Sequence, residues 1–394
     1  MKEKTGIIKL GGNILYMLLI FIFVADPTNT ILGLKSVVFA FLLLYSMVFF
    51  KPDWSNLRFF FIPVLSVLVS WVLAVMQGNH VDMAELKAVI TAFAPLLLLM
   101  WSANYDVIKL SVLPVALAAI IVLVLFWYVF FVPEFEAPLY LYMGKHDDTM
   151  MMSNRAFLGI SFFSMYLKSA VSFLPAFALV LYKALNNKRF RLLYALVIVI
   201  LLHMFIISGT RSSMLLPILL ACIIFFIYCR NGRYMRYMVY PAVALFCFLF
   251  LILLVMLLME KDEASNLVKY AHLVSYKTLF SEHPEYLLLG QGPGTSFYSI
   301  GFRGMCIRTE WTYLELIRNY GILCLPILYV IFLPMYKILK AANKCDSALA
   351  IASSFFIYLI IAGTNPLLIS STGMFVLLSV YSYSEKMKTH AYEE

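Results

Sequence analysis

Apolar runs of about twenty residues recur along the whole chain, and this feature limits its possible folds more than any other. A run of roughly 20 apolar residues is long enough to cross the hydrocarbon core of a bilayer. Within lipid such a run is helical, because a helix satisfies its own backbone polar groups. Of the 394 residues, 63% are hydrophobic and 13% are charged, whereas soluble domains are about half apolar and about a quarter charged. The sequence therefore predicts an all-α, polytopic integral membrane protein.

We predict about twelve transmembrane helices in one transmembrane domain that covers residues 1–394. The approximate spans are 8–25, 31–50, 57–76, 86–102, 110–132, 158–182, 190–208, 212–229, 238–258, 312–336, 347–362 and 367–383. The first run has no small-residue cleavage site and continues into Asp26, Pro27 and Thr28, so it is predicted to be a retained span and not a signal peptide.

Lysine and arginine predict the orientation of these spans, because short loops rich in these residues stay in the cytoplasm. The basic residues on one side of the predicted spans are Lys2, Lys4, Lys9, Lys51, Arg58, Lys109, Lys183, Lys188, Arg189, Arg191, Arg230, Arg233, Arg236, Lys337, Lys340, Lys344, Lys386 and Lys388. The short connections on the other side hold mainly Lys87 and Arg211. Both termini are therefore predicted to be cytoplasmic. The net charge of +9 is spread loop by loop and does not indicate a nucleic-acid partner.

Two long connections are predicted on the outer side, at about 133–157 and 259–311. The second contains LLLGQGPGTSFYS, residues 287–299, with Gly292 and Gly294 in its centre. A dinucleotide site requires a strand before such glycines and a helix after them, and no βαβ unit is predicted here. Two interpretations stay open: the glycines form simple turns, or their tight backbone lets an anionic or sugar group approach closely.

Charged residues next to lipid are costly and often functional. Arg211 begins the eighth predicted span, where free helix amides and a guanidinium can bind an anion; the alternative is an arginine that reaches toward the headgroups. Arg318 lies about two turns inside the tenth span, and Glu315 is three residues away on the same helix face. Arg318 is thus either a ligand-binding arginine or the partner of Glu315 in a structural ion pair.

Further candidates lie in the outer loops. Glu310, at the outer mouth of the tenth span, is a possible general base, and an ordinary solvated acid is the alternative. Arg155, Arg303 and Arg308 are predicted to bind substrate if they converge on a pyrophosphate, which favours bidentate partners. No metal site, cofactor or structural disulfide is predicted. The weaker candidates for a functional site are Lys35, Lys168, His146, Asp147, Asp148, His203, His272 and His283.

Three segments, read together with this topology, resemble a known family. They are SGTRSSML at 208–215, LGQGPGT at 289–295 and TEWTYLELIRNYGI at 309–322. The arrangement resembles the bacterial O-antigen polymerases, which belong with the O-antigen ligases to a superfamily of membrane glycosyltransferases. The resemblance covers most of the chain in topology but only about a tenth of it in motif.

The resemblance implies a GT-C-like architecture and an active site at the periplasmic face of the bacterial inner membrane. The substrates it implies are undecaprenyl-pyrophosphate-linked oligosaccharides, whose repeat units are joined by glycosyl transfer. Membrane lipids and a chain-length regulator are the other expected partners. By the same resemblance Arg211 and Arg318 are the arginines that hold the pyrophosphate. Relatives among the ligases carry a histidine where this chain has Trp311, so the predicted base is Glu310.

Two alternatives remain at this point. An O-antigen ligase, which transfers finished polymer to lipid A core, belongs to the same superfamily. A flippase for lipid-linked sugars would also have twelve spans and charges within the membrane. Such transporters usually contain internal repeats, and residues 1–190 show no convincing similarity to residues 191–394.

Overall fold

The computed structural model of the chain describes residues 2–146, 149–157, 160–229, 264–341 and 345–390. The ninth predicted span, 238–258, lies outside the described residues, as do Asp147 and Asp148. The described part is built mainly from helices, with two short β-hairpins.

The described α-helices are numbered in chain order. The first seven are α1 (Lys2–Ala25), α2 (Lys35–Phe49), α3 (Arg58–Met76), α4 (Met83–Ala92), α5 (Val107–Phe131), α6 (Glu136–Lys145) and α7 (Leu174–Asn186). The others are α8 (Arg191–Ile207), α9 (Arg211–Cys229), α10 (Ala264–Glu282), α11 (Tyr286–Leu289), α12 (Thr312–Tyr320), α13 (Cys324–Ala341), α14 (Asp346–Gly363) and α15 (Ser371–His390). Short 3-10 helices occupy Trp54–Leu57, Ala94–Trp101, Pro133–Phe135, Lys168–Phe173 and Gly321–Leu323. The strands are β1 (Met150–Phe157), β2 (Ile160–Leu167), β3 (Phe297–Ser299) and β4 (Gly304–Cys306).

Eight helical segments in the described part are long and apolar enough to cross a membrane. They are Gly6–Ala25, Trp54–Met76, Met83–Trp101, Val107–Phe131, Lys168–Asn186, Arg211–Cys229, Thr312–Lys340 and Asp346–Gly363. Two shorter apolar helices are Lys35–Phe49 and Arg191–Ile207. The predicted class, a helical multi-pass membrane protein, is confirmed at this level.

Aspartates begin two of the spanning helices. Asp82 Oδ1 accepts a hydrogen bond from Ala84 N at the start of α4 (2.8 Å), and Asp106 Oδ1 accepts one from Lys109 N at the start of α5 (3.2 Å). The first amides of a helix have no partner within the helix, and an aspartate at the N-cap satisfies one of them. These caps set the ends of the two helices at polar residues that flank apolar runs.

The core of the helical bundle surrounds α15, which is buried along most of its length between Thr372 and Ser382. The Phe375 ring stacks on Phe23 of α1 with 5.5 Å between centroids, and the Tyr381 ring lies 4.7 Å from Phe59 of α3. A helix that is enclosed by other helices in this way is held by close packing on several faces. Consequently α15 connects the first helices of the chain to the last ones.

The sixth predicted span begins later than expected. Residues 158–167 were predicted to be the start of a membrane helix, but β2 runs antiparallel to β1, with Met150 opposite Leu167. Helical structure begins only at Lys168. The segment ISFFSMYL contains one isoleucine and three aromatic residues, which suit a paired strand, and β1 supplies the partner for its backbone. The first long connection therefore extends as far as Leu167.

The tenth predicted span is broken in two. Helix α12 ends at Tyr320, the 3-10 turn Gly321–Leu323 follows, and α13 begins at Cys324. Gly321 has a φ of 53°, and a Cβ built on it would lie 2.3 Å from the carbonyl oxygen of Leu288. Because L-residues avoid positive φ and no space is left for a side chain, only glycine fits this break. A segment from the second long connection thus packs directly into the interrupted helix.

Candidate functional site

The glycine-bearing segment fills the break in the helix and satisfies its exposed carbonyl groups. Gln291 N donates to the carbonyl oxygen of Arg318 at 2.6 Å, and Gly292 N donates to that of Asn319 at 3.1 Å. Ser70 Oγ of α3 also donates to the Asn319 carbonyl oxygen, at 2.6 Å. Interrupted helices are tolerated at membrane depth when protein groups satisfy the released backbone atoms. The loop and the broken span are therefore one structural unit.

The chain's own atoms occupy the space that the glycines leave open. Gly292 has a φ of 110°, and an added Cβ would lie 2.2 Å from the Cβ of Ala74. Gly294 has a φ of 78°, and its added Cβ would lie 2.8 Å from the carbonyl oxygen of Asp82. Both glycines are thus required for close packing, Gly292 against the end of α3 and Gly294 against the start of α4. The approach of a ligand to Gly292 and Gly294 stays a prediction.

Arg318 is fully buried, with 0% of its surface exposed, and its guanidinium holds this unit together. Nε and Nη2 donate to Glu315 Oε2 at 3.0 and 2.8 Å. Nη1 donates to Gln291 Oε1 at 2.6 Å and to the Thr295 carbonyl oxygen at 3.0 Å, and Nη2 also donates to the Ile307 carbonyl oxygen at 2.6 Å. Nη1 also donates to Thr295 Oγ1 at 3.2 Å. A guanidinium has five N–H donors, and these six hydrogen bonds engage all of them.

The carboxylate of Glu315 is equally well satisfied. Its Oε1 accepts hydrogen bonds from Tyr276 Oη at 2.6 Å and Thr309 N at 2.9 Å, and its Oε2 faces Arg318. Burial is the larger cause and the nearby Glu315 carboxylate the second cause that raises the pKa of Tyr276. The phenol therefore stays protonated and acts as a donor. The structure thus contains the Glu315–Arg318 ion pair that the sequence left open. In this arrangement Arg318 positions the loop, and its contact with pyrophosphate stays a prediction.

A cleft with both polar and apolar lining residues lies beside this network, with a cavity volume of about 60 Å³. The predicted residues Gly294, Arg308 and Glu315 line it. The other lining residues are Glu85, Val89, Ile307, Thr309, Thr312, Leu316, Asn319, Tyr320, Pro366 and Ile369. At its outer edge Arg308 Nε donates to Glu85 Oε1, with 44% of the arginine side chain and 19% of the glutamate side chain exposed. The cleft therefore reaches the protein surface at an ion pair.

The remaining predicted site residues are elsewhere. Glu310 forms an ion pair with Lys269 (3.2 Å), and both side chains are partly exposed. Arg303 is exposed in the β3–β4 turn with a φ of 53°, and Arg155 is placed in β1 by its backbone. Arg211 is the first residue of α9 and is half-buried. Among the described side chains, the cleft lining does not include Glu310, Arg303 or Arg211.

Two hydroxyl groups flank Arg211. The side-chain oxygens of Thr210 and Ser213 are buried, and neither has a hydrogen-bond partner among the described residues. Amides in the first turn of a helix also lack partners within the helix. The start of α9 therefore contains donors beside a cation, which is the arrangement that suits an anion.

His272, predicted only as a spare acid-base residue, is buried under the β3–β4 hairpin. Its Nδ1 lies 2.7 Å from Ser299 Oγ, and its buried Nε2 has no hydrogen-bond partner in the described part of the chain. Burial lowers the pKa of His272 because a charged imidazolium would lose hydration. Gly301 packs so closely that an added Cβ would lie 2.7 Å from the imidazole ring. The geometry makes His272 a packed, neutral histidine.

The weaker predicted candidates have structural contacts. Lys35 Nζ donates to Ser371 Oγ at 2.6 Å and also to the Pro27 carbonyl oxygen, so it joins the bundle instead of extending to solvent. The His203 ring packs edge-on against Trp127, with 5.6 Å between centroids. Within the described residues no group of three or more His, Cys, Asp or Glu side chains is arranged to hold a metal ion.

Sequence reasoning missed Glu85 and Asn319 in the cleft. Glu85 follows Asp82 by three residues, the spacing of a helix start with acidic residues in its first turn, and this spacing by itself indicates a structural role. Asn319 follows Arg318 in the predicted span and has no sequence signal of its own. Comparison with protein-family models and with curated proteins found no match in either set.

Proposed function

We propose that this protein is an O-antigen polymerase of the bacterial inner membrane. It joins undecaprenyl-pyrophosphate-linked oligosaccharide repeat units at the periplasmic face by glycosyl transfer. The predicted twelve spans, cytoplasmic termini and GT-C-like architecture belong to the same proposal. The proposal starts from the resemblance in three sequence segments, two of which meet in one polar unit at the broken span.

The observation that carries the proposal is the union of the glycine segment with the interrupted helix. Gln291 N and Gly292 N donate hydrogen bonds to the carbonyl groups of Arg318 and Asn319, and a cleft of mixed polarity opens beside them. Discontinuous membrane helices and buried charges commonly mark substrate sites in membrane proteins. Arg318, which is buried and makes six hydrogen bonds to protein groups, holds the loop next to this cleft.

Glycosyl transfer requires an acceptor hydroxyl, groups that stabilise the leaving pyrophosphate, and a base. A hydroxyl oxygen of the acceptor glycan forms a bond to the anomeric carbon of the donor, while the bond from that carbon to the pyrophosphate oxygen breaks. The pyrophosphate leaves with the electron pair, and Arg211 with the hydroxyls of Thr210 and Ser213 stabilises its charge. The acceptor proton passes to a base, which the sequence predicts to be Glu310. The sugar–pyrophosphate bond supplies the energy, so no nucleotide is needed.

Deletion of the gene tests the function directly. Loss of a polymerase leaves lipid A core that carries a single repeat unit, and the wild-type gene restores the ladder of long chains on a gel. Bare core after deletion would contradict the polymerase and indicate an O-antigen ligase or a flippase.

Variants of Arg211 test the proposed leaving-group site. Arg211→Ala should reach the membrane at the wild-type level yet produce no long chains, because the pyrophosphate loses a charge partner. Exposed Arg189, on the connection between α7 and α8, is the matched control, and Arg189→Ala should give normal ladders. Wild-type chain lengths with Arg211→Ala would remove this residue from the site.

A further inference from the structure

Most polar side chains of the cleft are already committed to protein partners. Both Glu315 oxygens accept hydrogen bonds from the surrounding network. Thr309 Oγ1 bonds to Tyr276 Oη at 2.7 Å, and Thr312 Oγ1 donates to the Asn365 carbonyl oxygen at 2.7 Å. Glu315, Thr309 and Thr312 therefore have little capacity to bind a ligand in the cleft.

Two acceptor oxygens stay available. Asn319 Oδ1 is buried and has no hydrogen-bond partner among the described residues. Glu85 uses Oε1 to accept from Arg308 Nε, and no described residue donates to its Oε2. A buried amide oxygen without a partner is costly, and a ligand that donates a hydrogen bond to it removes this cost. A ligand that donates hydrogen bonds can therefore pair with both oxygens.

The shape of the cleft restricts the ligand further. About 60 Å³ accommodates roughly a few groups the size of a water molecule. Val89, Leu316 and Ile369 line it with apolar surface, and Glu85 and Asn319 belong to the same lining. Hydroxyl groups on a carbon ring match this combination, because they donate hydrogen bonds while the C–H faces contact apolar walls. A phosphate offers only acceptors when ionised and does not suit Asn319 Oδ1 or the Glu85 carboxylate.

We infer that this cleft is a glycan subsite in which Glu85 and Asn319 accept hydrogen bonds from sugar hydroxyls. The inference rests on the proposed function for the identity of the ligand, a lipid-linked oligosaccharide. It assigns recognition of the glycan to the cleft between α4 and α12. The pyrophosphate site proposed at Arg211 is separate from this cleft. The partly exposed Glu85–Arg308 pair lies at the entrance, where water weakens the ion pair and a ligand can separate it.

The test is a binding experiment on the purified full-length protein in lipid nanodiscs. Two probes are compared: the undecaprenyl-pyrophosphate-linked repeat unit extracted from the deletion strain, and undecaprenyl pyrophosphate without a glycan. Wild type should bind the glycan-bearing lipid more tightly. Glu85→Ala should weaken that binding about tenfold and Asn319→Ala about fivefold, while both variants bind the glycan-free lipid as wild type does. Glu85→Gln, which keeps an oxygen acceptor without the charge, should be intermediate.

Exposed Glu282 at the end of α10 gives a matched control, and Glu282→Ala should bind both lipids like wild type. Equal loss of both lipids, no loss of either, or equal wild-type affinity for the two lipids would overturn the subsite. An elongation assay on the same samples tests the polymerase separately. Wild-type protein that discriminates between the lipids but never extends a repeat unit would contradict the polymerase and leave the glycan subsite standing.

Discussion

Replacement of Arg318 by lysine should loosen the glycine segment while keeping the positive charge. Lysine carries three donors on one nitrogen, whereas arginine spreads five donors over a planar fork. A lysine ammonium near Glu315 cannot also reach the acceptors on the other side of the guanidinium. Gln291 Oε1 and the Thr295 carbonyl oxygen, now at 2.6 and 3.0 Å from Nη1, would lose their donor.

The expected magnitude follows from these two buried acceptors. Each buried acceptor without a partner costs about 1–3 kcal/mol, so the local opening free energy of the segment should fall by about 2–6 kcal/mol. Loss of the entire charged partner, in Arg318→Ala, should cost about 3–5 kcal/mol for the ion pair alone. Because 1.4 kcal/mol corresponds to a factor of ten, even the lower limit predicts amide exchange about 30 times faster.

Hydrogen exchange measured by mass spectrometry on peptides that cover residues 286–296 provides the assay. Arg308→Lys is the matched control, because its ion pair is half-exposed and pairs of that kind contribute about 0–1 kcal/mol. Exchange in that variant should stay within about fivefold of wild type. Unchanged exchange around Gln291 and Gly292 in Arg318→Lys, or an equal effect of the two variants, would refute the role of Arg318 as the positioning residue of the loop.

Three other predictions concern single positions. Gly292→Ala should displace the loop and abolish long chains at normal membrane levels, since its φ is 110° and its Cβ would meet Ala74; Gly304→Ala, with its nearest neighbour at 3.9 Å, should leave gel ladders unchanged. The pKa of His272 is lowered in the folded state, so the unfolded chain binds more protons and stability should fall as the pH drops below about 6.5. His272→Gln should flatten this dependence of the unfolding midpoint on pH, and an unaltered slope would contradict the assignment. Glu310→Gln should slow polymerisation at least about 100-fold if this carboxylate is the base with little change in unfolding midpoint, because its ion pair with Lys269 is partly exposed; full activity would exclude Glu310.

Local patterns predicted the helices well where a single physical term dominates. The apolar runs that became α3, α5 and α14 were located to within a few residues, because apolar length alone decides whether a helix can span lipid. The spacing of Glu315 and Arg318 also predicted their possible ion pair, since residues three apart share a helix face. For the site, three predicted residues reached the cleft: Gly294, Arg308 and Glu315.

Local sequence patterns did not predict features that depend on a contact between residues distant in the chain. Glycine is common inside membrane helices, so Gly321 alone does not indicate a break; the break forms around residues 288–292. Hydropathy likewise could not separate strand β2 from the start of a helix, because the two differ in their pairing with β1 and not in their apolar character. Glu85 and Arg308 are 223 residues apart, and neither local sequence predicts that the two form an ion pair.

The sequence by itself determined that this chain enters a membrane as many helices, because burial in lipid depends on local apolar length and on backbone hydrogen bonds within each helix. Only the tertiary structure decided which charges are structural and which polar atoms stay available. From sequence Arg318 was either a ligand-binding arginine or the partner of Glu315, and the structure pairs it with Glu315 and the loop. Asn319 Oδ1 and Glu85 Oε2 acquire significance only from a cleft between distant segments. That distinction depends on hydrogen-bond partners that folding brings together, which no local pattern encodes.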